Sequence, residues 1–348
     1  MNIVKPNKLK QGDTIAIVSP SWGGPGTFPA VYQSGIHNIE KYLGLKVKEY
    51  PETIANADYL YEHPEVRAEH INRAFADSEV KAIFSSIGGD DSIRILKYLD
   101  SNIIQKNPKI FMGYSDTTTL LTFIRQLGIV TFNGPSVMAG FAQMNNLPKT
   151  FSEHVKELLF THNTTYEYRP YEVWCDGYPS WSEKGYRNQL KELHQNTDGW
   201  HWLQGETTVE GQLFGGCIEV LEFLKGTKYW PKKDFWKNQI LFFETSENKP
   251  SIDVVSCMLR NYGIQGIFEQ ISGVLIGRCR DYSVEEKKEF DEMVVRIIVK
   301  EFGQEQIPIV TNLDFGHTDP QFILPLGVRA QIDTTKKALK LTEAAVDE

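Results

Sequence analysis

At Lys109-Ile110-Phe111-Met112-Gly113-Tyr114-Ser115-Asp116-Thr117, a short apolar run ends in small, turn-forming residues. Residues 118–124, Thr-Thr-Leu-Leu-Thr-Phe-Ile, then predict a helix. A strand that leads through a turn into a helix would put Ser115 at the carboxyl edge of a sheet. There, the first N–H groups of the helix favour developing negative charge. Ser115 is therefore a candidate nucleophile, although such a cluster is also typical of an ordinary helix N-cap.

Outward from this stretch, the first 160 residues alternate short apolar runs with helical patterns. This alternation predicts βαβ units and a parallel sheet covered by helices on both faces. The expected strands are Ile15–Ser19, Val47–Tyr50, Ala82–Ser86, Ile110–Met112 and Val130–Phe132. The expected helices are Ala30–Leu43, Glu65–Ala76, Ser92–Leu99, Thr118–Leu127 and Glu153–Phe160. We therefore expect an α/β fold with a doubly wound, flavodoxin- or Rossmann-like N-terminal domain.

Three turns rich in glycine and serine follow the predicted strands, at Ser19–Gly26, Ile87–Ser92 and Gly113–Thr117. Ligands of parallel sheets bind at the carboxyl ends of the strands, so we expect these turns to gather around a site. None of them has the glycine spacing of a dinucleotide-binding or P-loop motif. This argues against a NAD-linked dehydrogenase and a nucleoside triphosphatase.

We predict three parts of the chain: residues 1–163 as the nucleophile domain, 164–206 as a connection, and 207–348 as a smaller mixed α/β domain. The connection is rich in tyrosine and tryptophan and has little periodicity, which favours a wall of the site or packing between domains. The expected C-terminal strands are Thr208–Phe214, Gln239–Glu244, Gly273–Ile276, Ile307–Asn312 and a final hairpin from Val328–Asp333. The expected helices are Ile218–Leu224, Ile252–Tyr262 and Val284–Phe302.

Composition excludes several classes of protein. The chain has 348 residues and a formal net charge of −8, with no basic tract that would attract nucleic acid or an anionic membrane. Its apolar runs are shorter than a membrane-spanning helix needs, and residues 1–20 fit a first strand better than a signal peptide. The four cysteines have no metal-binding spacing. We therefore expect a cytoplasmic protein without a metal site or a disulfide framework.

A serine nucleophile requires a general base and a group that orients the base. His317 follows the predicted strand at 307–312 within a turn-rich loop, which suits an active-site cleft as well as a solvated loop. Glu244 directly follows four apolar residues, so it is either a partly buried functional acid or a strand-end charge. Asp90, Asp91 and Asp116 are competing acids.

Two further features near these candidates each allow two interpretations. Gly88-Gly89 would let backbone N–H groups approach an oxyanion, or would form an ordinary tight turn. Asp116 would cap its helix or contribute its backbone N–H to the same oxyanion site.

Short motifs are spread along the chain from end to end. They are Leu9–Pro20, Ile87–Ser92, Gly113–Thr117, Gly211–Gly216, Glu244, Gly316–Thr318 and Leu324–Gly327. In this order and spacing the chain resembles the LD-carboxypeptidase and microcin C immunity serine peptidases. Threonine at position 117 replaces the second glycine of GxSxG, which argues against an ordinary α/β-hydrolase.

The resemblance implies a hydrolase with a catalytic triad of Ser115, Glu244 and His317 and a backbone oxyanion hole at Gly89 and Asp116. It also implies a homodimer without a cofactor. One branch of the family removes terminal D-alanine from murein tetrapeptides. The immunity branch, which confers antibiotic resistance, cleaves the amide between an aminoacyl or peptidyl group and a nucleotide-like moiety.

Two features favour the immunity branch. Ile87–Ser92 differs from the Arg-Gly-Gly-Tyr-Gly pattern of the murein branch, and the connection is rich in tryptophan. The resemblance implies that an aromatic side chain stacks on the nucleobase, with Trp181 as first choice and Trp202 or Tyr186 as substitutes. Gly88 and Asp90 are the other expected substrate contacts. Cys217 stands where many relatives have asparagine, so one substrate contact is in doubt.

The alternatives are therefore a microcin-immunity amidase, an LD-carboxypeptidase, and a non-catalytic protein that binds a nucleotide or muropeptide. Together, Glu244 and His317 favour an enzyme, because a binding protein has no need for both. We expect the ligand to be a small peptide or aminoacyl-nucleotide, and no nucleic acid or membrane.

Overall fold

The computed structural model describes residues 3–182 and 189–348. The strands, in chain order, are β1 Thr14–Val18, β2 Lys46–Glu49, β3 Val80–Ser85, β4 Ile110–Gly113, β5 Thr131–Asn133, β6 Tyr166–Tyr168, β7 Val173–Trp174, β8 His194–Gln195, β9 His201–Gln204, β10 Thr208–Cys217, β11 Gln239–Glu244, β12 Gly273–Gly277, β13 Ile309–Leu313, β14 Leu324–Leu326, β15 Arg329–Asp333 and β16 Ala338–Leu341.

The α-helices are α1 Gly24–Thr27, α2 Pro29–Asn38, α3 Ala57–Glu62, α4 Pro64–Ala76, α5 Ser101–Lys106, α6 Thr118–Gln126, α7 Lys149–Leu159, α8 Ile218–Leu224, α9 Ile252–Ile264 and α10 Val284–Val295. Short 3-10 helices cover Pro51–Ile54, Ser92–Tyr98, Ser115–Thr117, Met144–Asn146 and Lys233–Trp236. Single π-helical segments, Ile39–Leu43 and Arg296–Glu301, extend α2 and α10.

The first sheet of the described chain has the strand order β14-β5-β4-β3-β1-β2. Strands β1 to β5 pair in parallel, and β14 adds antiparallel to β5. The central strands β3 and β4 are buried almost throughout because helices cover both faces, as their apolar sequences require. This is the doubly wound parallel sheet that the sequence predicts.

The second sheet, within the same described residues, has the order β6-β16-β15-β10-β11-β12-β13-β9. Its centre, β10 to β13, is parallel, whereas the outer strands are antiparallel. Gly215 permits close pairing of β10 with β11, because a Cβ there would lie 1.6 Å from the carbonyl oxygen of Phe242. The carboxyl ends of these parallel strands carry the second half of the candidate site.

Several predicted elements need correction. Residues 92–99 were expected to form an α-helix but form the 3-10 helix Ser92–Tyr98. Strand β10 continues to Cys217, three residues beyond the predicted end at Phe214. The connection 164–206 is not merely irregular, because β6 and β9 are the two edge strands of the second sheet and β7 pairs with β8. Strands β6 and β9 form by pairing with β16 and β13, which lie far away in the sequence.

The division of the chain at residues 163/164 and 206/207 stays a prediction, and β14 shows that the C-terminal part also contributes to the first sheet. Among the helices of residues 3–182 and 189–348, none has the length and apolar character needed to cross a bilayer.

Candidate active site

Ser115 lies at the carboxyl end of β4, two residues beyond Gly113, and begins the short 3-10 helix that leads into α6. Its φ of 56° is in the left-handed region, which a residue with a Cβ rarely adopts. Strained backbone of this kind is concentrated at functional sites. Gly88 packs against it so closely that a Cβ there would lie 2.9 Å from Ser115 Oγ. The half-buried Ser115 residue therefore lies directly against the backbone of Gly88, which has no side chain.

The three glycine- and serine-rich turns do meet around Ser115, as expected. The N–H of Trp22 donates to the carbonyl of Gly88 at 3.1 Å, which joins the first turn to the second. Asp116 is fully buried, and its Oδ2 accepts a 2.8 Å hydrogen bond from the N–H of Ser92. Its side chain therefore fastens the second turn to the third and does not cap α6.

Asp91, one of the competing acids, has a structural partner. Its carboxylate receives two hydrogen bonds from the buried Arg67 guanidinium, at 2.6 and 2.9 Å. These ion pairs hold the pKa of Asp91 below its usual value although burial opposes them. Gly89 and Asp90 between the two anchored ends are exposed. The segment therefore presents its backbone at the edge of the site.

The candidate acid and the candidate base meet at the end of the second sheet. Glu244 ends β11 and is fully buried, and its Oε2 lies 2.6 Å from Nδ1 of His317. Gly316 makes room for this contact, because a Cβ there would lie 2.7 Å from Glu244. Burial raises the pKa of Glu244, although His317 partly opposes this rise. The carboxylate can orient the imidazole ring and stabilise its charged form.

His317 packs against Tyr114, the residue that precedes Ser115 in the chain. The rings of Tyr114 and His317 meet edge to face with their centroids 4.9 Å apart, and Ser115 is the next residue. Within the described residues, however, no hydrogen bond joins the Ser115 hydroxyl to His317, because Nε2 lies 2.8 Å from Glu247 Oε2 instead. Burial would lower the pKa of His317, but the carboxylates of Glu244 and Glu247 raise it to about 10.

The aromatic candidates have different surroundings. Trp181 is half-buried, stacks on Tyr178 at a centroid distance of 4.5 Å and contacts Phe28 edge to face. Trp202 lies in edge strand β9, opposite Val310 of β13. Tyr186 lies outside the described residues. Trp181 is thus part of an aromatic cluster that includes Tyr178, which itself faces the charged groups near His317.

Sequence reasoning missed three charged residues around the imidazole. Glu247 contacts Nε2, and Arg280 lies near both Glu247 and Tyr178. Asp319 is buried, which raises its pKa to about 6. Glu247 lies three residues after Glu244 in a polar turn, and this proximity in sequence is the one signal that could have revealed it.

Cys217, at the end of β10, is fully buried beside Glu244. Its N–H donates a 3.1 Å hydrogen bond to Thr118 Oγ1 at the start of α6. Burial raises the pKa of the thiol well above its usual value, and Glu244 adds to this effect. The backbone of Cys217 therefore connects the helix that follows Ser115 with β10, the strand beside Glu244. The Cys217 thiol itself is uncharged.

Two protein-family models match this chain. The model of the LD-carboxypeptidase N-terminal domain matches residues 15–134, and that of the LD-carboxypeptidase C-terminal domain matches residues 210–332. The chain belongs to the LD-carboxypeptidase family. The first match contains Ser115, and the second contains Glu244 and His317. Membership of this peptidase family supports hydrolase activity.

Curated relatives come from both branches of the family. The microcin C7 self-immunity protein MccF of Escherichia coli is 29% identical over 96% of this chain and 94% of that protein. The "Probable murein peptide carboxypeptidase" of Bacillus subtilis is 28% identical over 99% of this chain and 96% of that protein. Sequence identity alone therefore does not separate the two activities.

Solved structures of MccF-like proteins share the fold. An MccF-like protein from Streptococcus pneumoniae in complex with AMP has a TM-score of 0.83 and 33% identity, covering 95% of this chain and 99% of that one. MccF in complex with aspartyl sulfamoyl adenosine has a TM-score of 0.86 and 28% identity, covering 99% of this chain and 100% of that one. Both relatives bind ligands with an adenosine group.

Proposed function

We propose that this LD-carboxypeptidase family member is a serine amidase of the microcin-immunity type. It would cleave the amide between an aminoacyl or peptidyl group and a nucleotide moiety. The observation that carries the proposal is the buried pair of His317 and Glu244, 2.6 Å apart, beside the strained turn that holds Ser115. A buried, oriented imidazole next to a serine at the start of a helix suits acyl transfer.

In the proposed reaction, the Ser115 hydroxyl attacks the carbonyl carbon of the amide while His317 Nε2 accepts its proton. Collapse of the tetrahedral intermediate breaks the C–N bond, and the imidazolium returns the proton to the leaving nitrogen. Water, activated by the same imidazole, then hydrolyses the acyl-enzyme. Glu244 would hold the ring through Nδ1, and the N–H groups of Gly89 and Asp116 would stabilise the oxyanion.

The nucleotide preference is supported by the aromatic cluster and by relatives that bind adenosine ligands. We propose Trp181 as the residue that stacks on the base, with Trp202 and Tyr186 as less favoured candidates and Gly88 and Asp90 as further contacts. The exposed position of Asp90 fits a group at the rim of the site. A homodimer in the cytoplasm stays a prediction, which light scattering and cell fractionation would test.

Cleavage of murein tetrapeptide is the second candidate, because the Bacillus subtilis relative has a murein peptide carboxypeptidase name and matches 99% of this chain. The decisive experiment incubates the protein with aspartyl sulfamoyl adenosine and with a murein tetrapeptide in parallel. Preferential release of aspartate supports the proposal, whereas preferential release of D-alanine supports the carboxypeptidase. A protein that binds either compound without turnover, and whose Ser115 resists a fluorophosphonate, would instead be a binding protein.

A further inference from the structure

Both ring nitrogens of His317 contact carboxylates. Nδ1 lies 2.6 Å from Glu244, and Nε2 lies 2.8 Å from Glu247. A neutral imidazole has one N–H and one acceptor nitrogen, whereas an imidazolium donates from both. Two carboxylates therefore hold the ring in its protonated form. In this arrangement Nε2 cannot accept a proton from Ser115, so the free protein holds its proposed general base inactive.

The Glu247 carboxylate can leave Nε2 without rearrangement of its turn. Ser246 is anchored by its N–H and hydroxyl, which donate to Glu219 Oε1 at 3.0 and 2.6 Å. The N–H of Asn248 donates to Ser246 Oγ, so the backbone on both sides of Glu247 is held. The Glu247 side chain is 52% exposed, in contrast to the fully buried Glu244. Side-chain rotation alone is therefore enough to release His317.

The charged groups around His317 indicate what would pair with Glu247 once the imidazole is neutral. The groups that face His317 are Glu244 and Glu247 from β11 and its turn, Tyr114 before Ser115, Tyr178 from the connection, Arg280 beyond β12 and Asp319 from its own loop. Arg280 already contacts Asp281 at 3.3 Å. When the imidazole becomes neutral, the half-exposed Glu247 carboxylate loses its direct cationic partner, and an ammonium group on a substrate is a group that can take that place.

We propose that Glu247 determines specificity by binding an ammonium group on the acyl part of the substrate, and that this exchange frees Nε2 of His317 for Ser115. The inference rests on the proposed serine amidase function and narrows its substrate class to amides with a primary amine close to the scissile carbonyl. The carbonyl carbon must approach Ser115 Oγ to about 3–3.5 Å. Nε2 must also come within hydrogen-bond distance of Oγ to accept its proton. In that complex an α-ammonium, one carbon further, would lie within reach of a carboxylate that contacts Nε2.

The first experiment compares aspartyl sulfamoyl adenosine with its N-acetyl derivative, which lacks the ammonium. In the wild type, acetylation should lower kcat/KM by roughly 10- to 150-fold, the range expected for a hydrogen bond to a charged group. In Glu247→Gln, acetylation should change kcat/KM by less than about threefold. Acetylation and the substitution each remove the same contact between the ammonium and the Glu247 carboxylate, so their effects do not add. Glu292→Gln, an exposed glutamate of α10, serves as the matched control and should retain the wild-type ratio.

The second experiment measures the rate at which a fluorophosphonate without an amine labels Ser115 across the pH range. Removal of one carboxylate from His317 should lower the pKa of the imidazole. The acid limb of the pH–rate profile for labelling should therefore shift to lower pH by about 1–3 units. Glu247→Gln should therefore react at least about tenfold faster than the wild type at pH 7. A residue with only a structural role would slow the reaction when replaced. Glu247→Asp, whose shorter side chain withdraws from Nε2, should shift the limb in the same direction.

Equal discrimination against the acetylated substrate in wild type and Glu247→Gln would overturn the ammonium site. An unchanged pH profile of labelling in both Glu247 variants would overturn the release of His317. Either result leaves the proposed amidase intact as long as Ser115 is labelled and the amide is cleaved. Failure of Ser115 to react at any pH would instead refute the proposed function itself.

Discussion

Replacement of Glu244 with glutamine tests how strongly the buried carboxylate acts on His317. Its Oε2 lies 2.6 Å from Nδ1, and its side chain is fully buried. Burial would lower the pKa of His317, but Glu244 and Glu247 together raise it from 6.5 to about 10. This rise corresponds to at most about 5 kcal/mol of preference for the imidazolium in the folded protein.

Glutamine preserves the size of the side chain but removes its charge, while Glu247 still faces Nε2. We therefore expect Glu244→Gln to lower the free energy of unfolding at pH 7 by about 1.5–3 kcal/mol, the range for a hydrogen bond to a charged group. A histidine whose pKa is raised on folding stabilises the folded protein, and this stabilisation is fully present below pH 6.5. It is lost as the pH rises through about 10. The difference between wild type and variant should thus shrink over this range.

The assay is urea-induced unfolding at several pH values between 6.5 and 10, with kcat/KM measured on aspartyl sulfamoyl adenosine. Activity should fall by about 10³- to 10⁴-fold, because glutamine no longer orients the ring or stabilises its charge. Glu292→Gln, far more exposed, should leave both quantities near the wild type. A stability difference that stays constant across the pH range, or an activity loss below about tenfold, would refute the reasoning.

Three further predictions concern the same site. Ser115→Ala and His317→Ala should each remove nearly all turnover, and the double variant should be scarcely worse, because the groups act as one unit; losses in kcat/KM that multiply would contradict this. Gly88→Ala should slow fluorophosphonate labelling of Ser115 by about 10²-fold, since its Cβ would lie 2.9 Å from Oγ; an unchanged rate would mean that the nucleophile is not confined there. Trp181→Ala should lower kcat/KM for aspartyl sulfamoyl adenosine by roughly 5- to 150-fold and hardly affect murein tetrapeptide; equal effects on both would make Trp181 a packing residue only.

The parallel strands could be predicted because burial on both faces requires continuous apolar runs. The predicted strand at 239–244 coincides with β11, and the first strand is displaced by only one residue. Both lie in the interiors of sheets, where local sequence and tertiary environment favour the same structure. The positions of Ser115 and Glu244 at strand ends follow directly from these runs.

Edge strand β2 was predicted to within one residue, but edge strands β14, β6 and β9 were not, because they are short and depend on distant partners. Strand β14 has three residues and contains Pro325, yet it pairs with β5 almost 200 residues earlier. The contact of Glu247 with His317 was equally inaccessible, since a polar turn after a strand is normally solvated. Apart from its position three residues after Glu244, nothing in the local sequence of Glu247 indicates that a loop some 70 residues later brings an imidazole against it.

Strand β14 also explains how two sheets hold one site. The loop that carries His317 begins after β13 in the second sheet and ends at β14, which pairs with β5 in the sheet that carries Ser115. Helix α6 makes the reciprocal connection, because Thr118 at its start accepts a hydrogen bond from Cys217 in β10. The loop that carries His317 is thus fastened to the sheet that carries Ser115, and the helix that follows Ser115 is fastened to the strand beside Glu244. Backbone pairing away from these side chains therefore sets the separation of Ser115 and His317, and under our proposal the half-exposed Glu247 side chain is the part of this cluster that moves when a substrate binds.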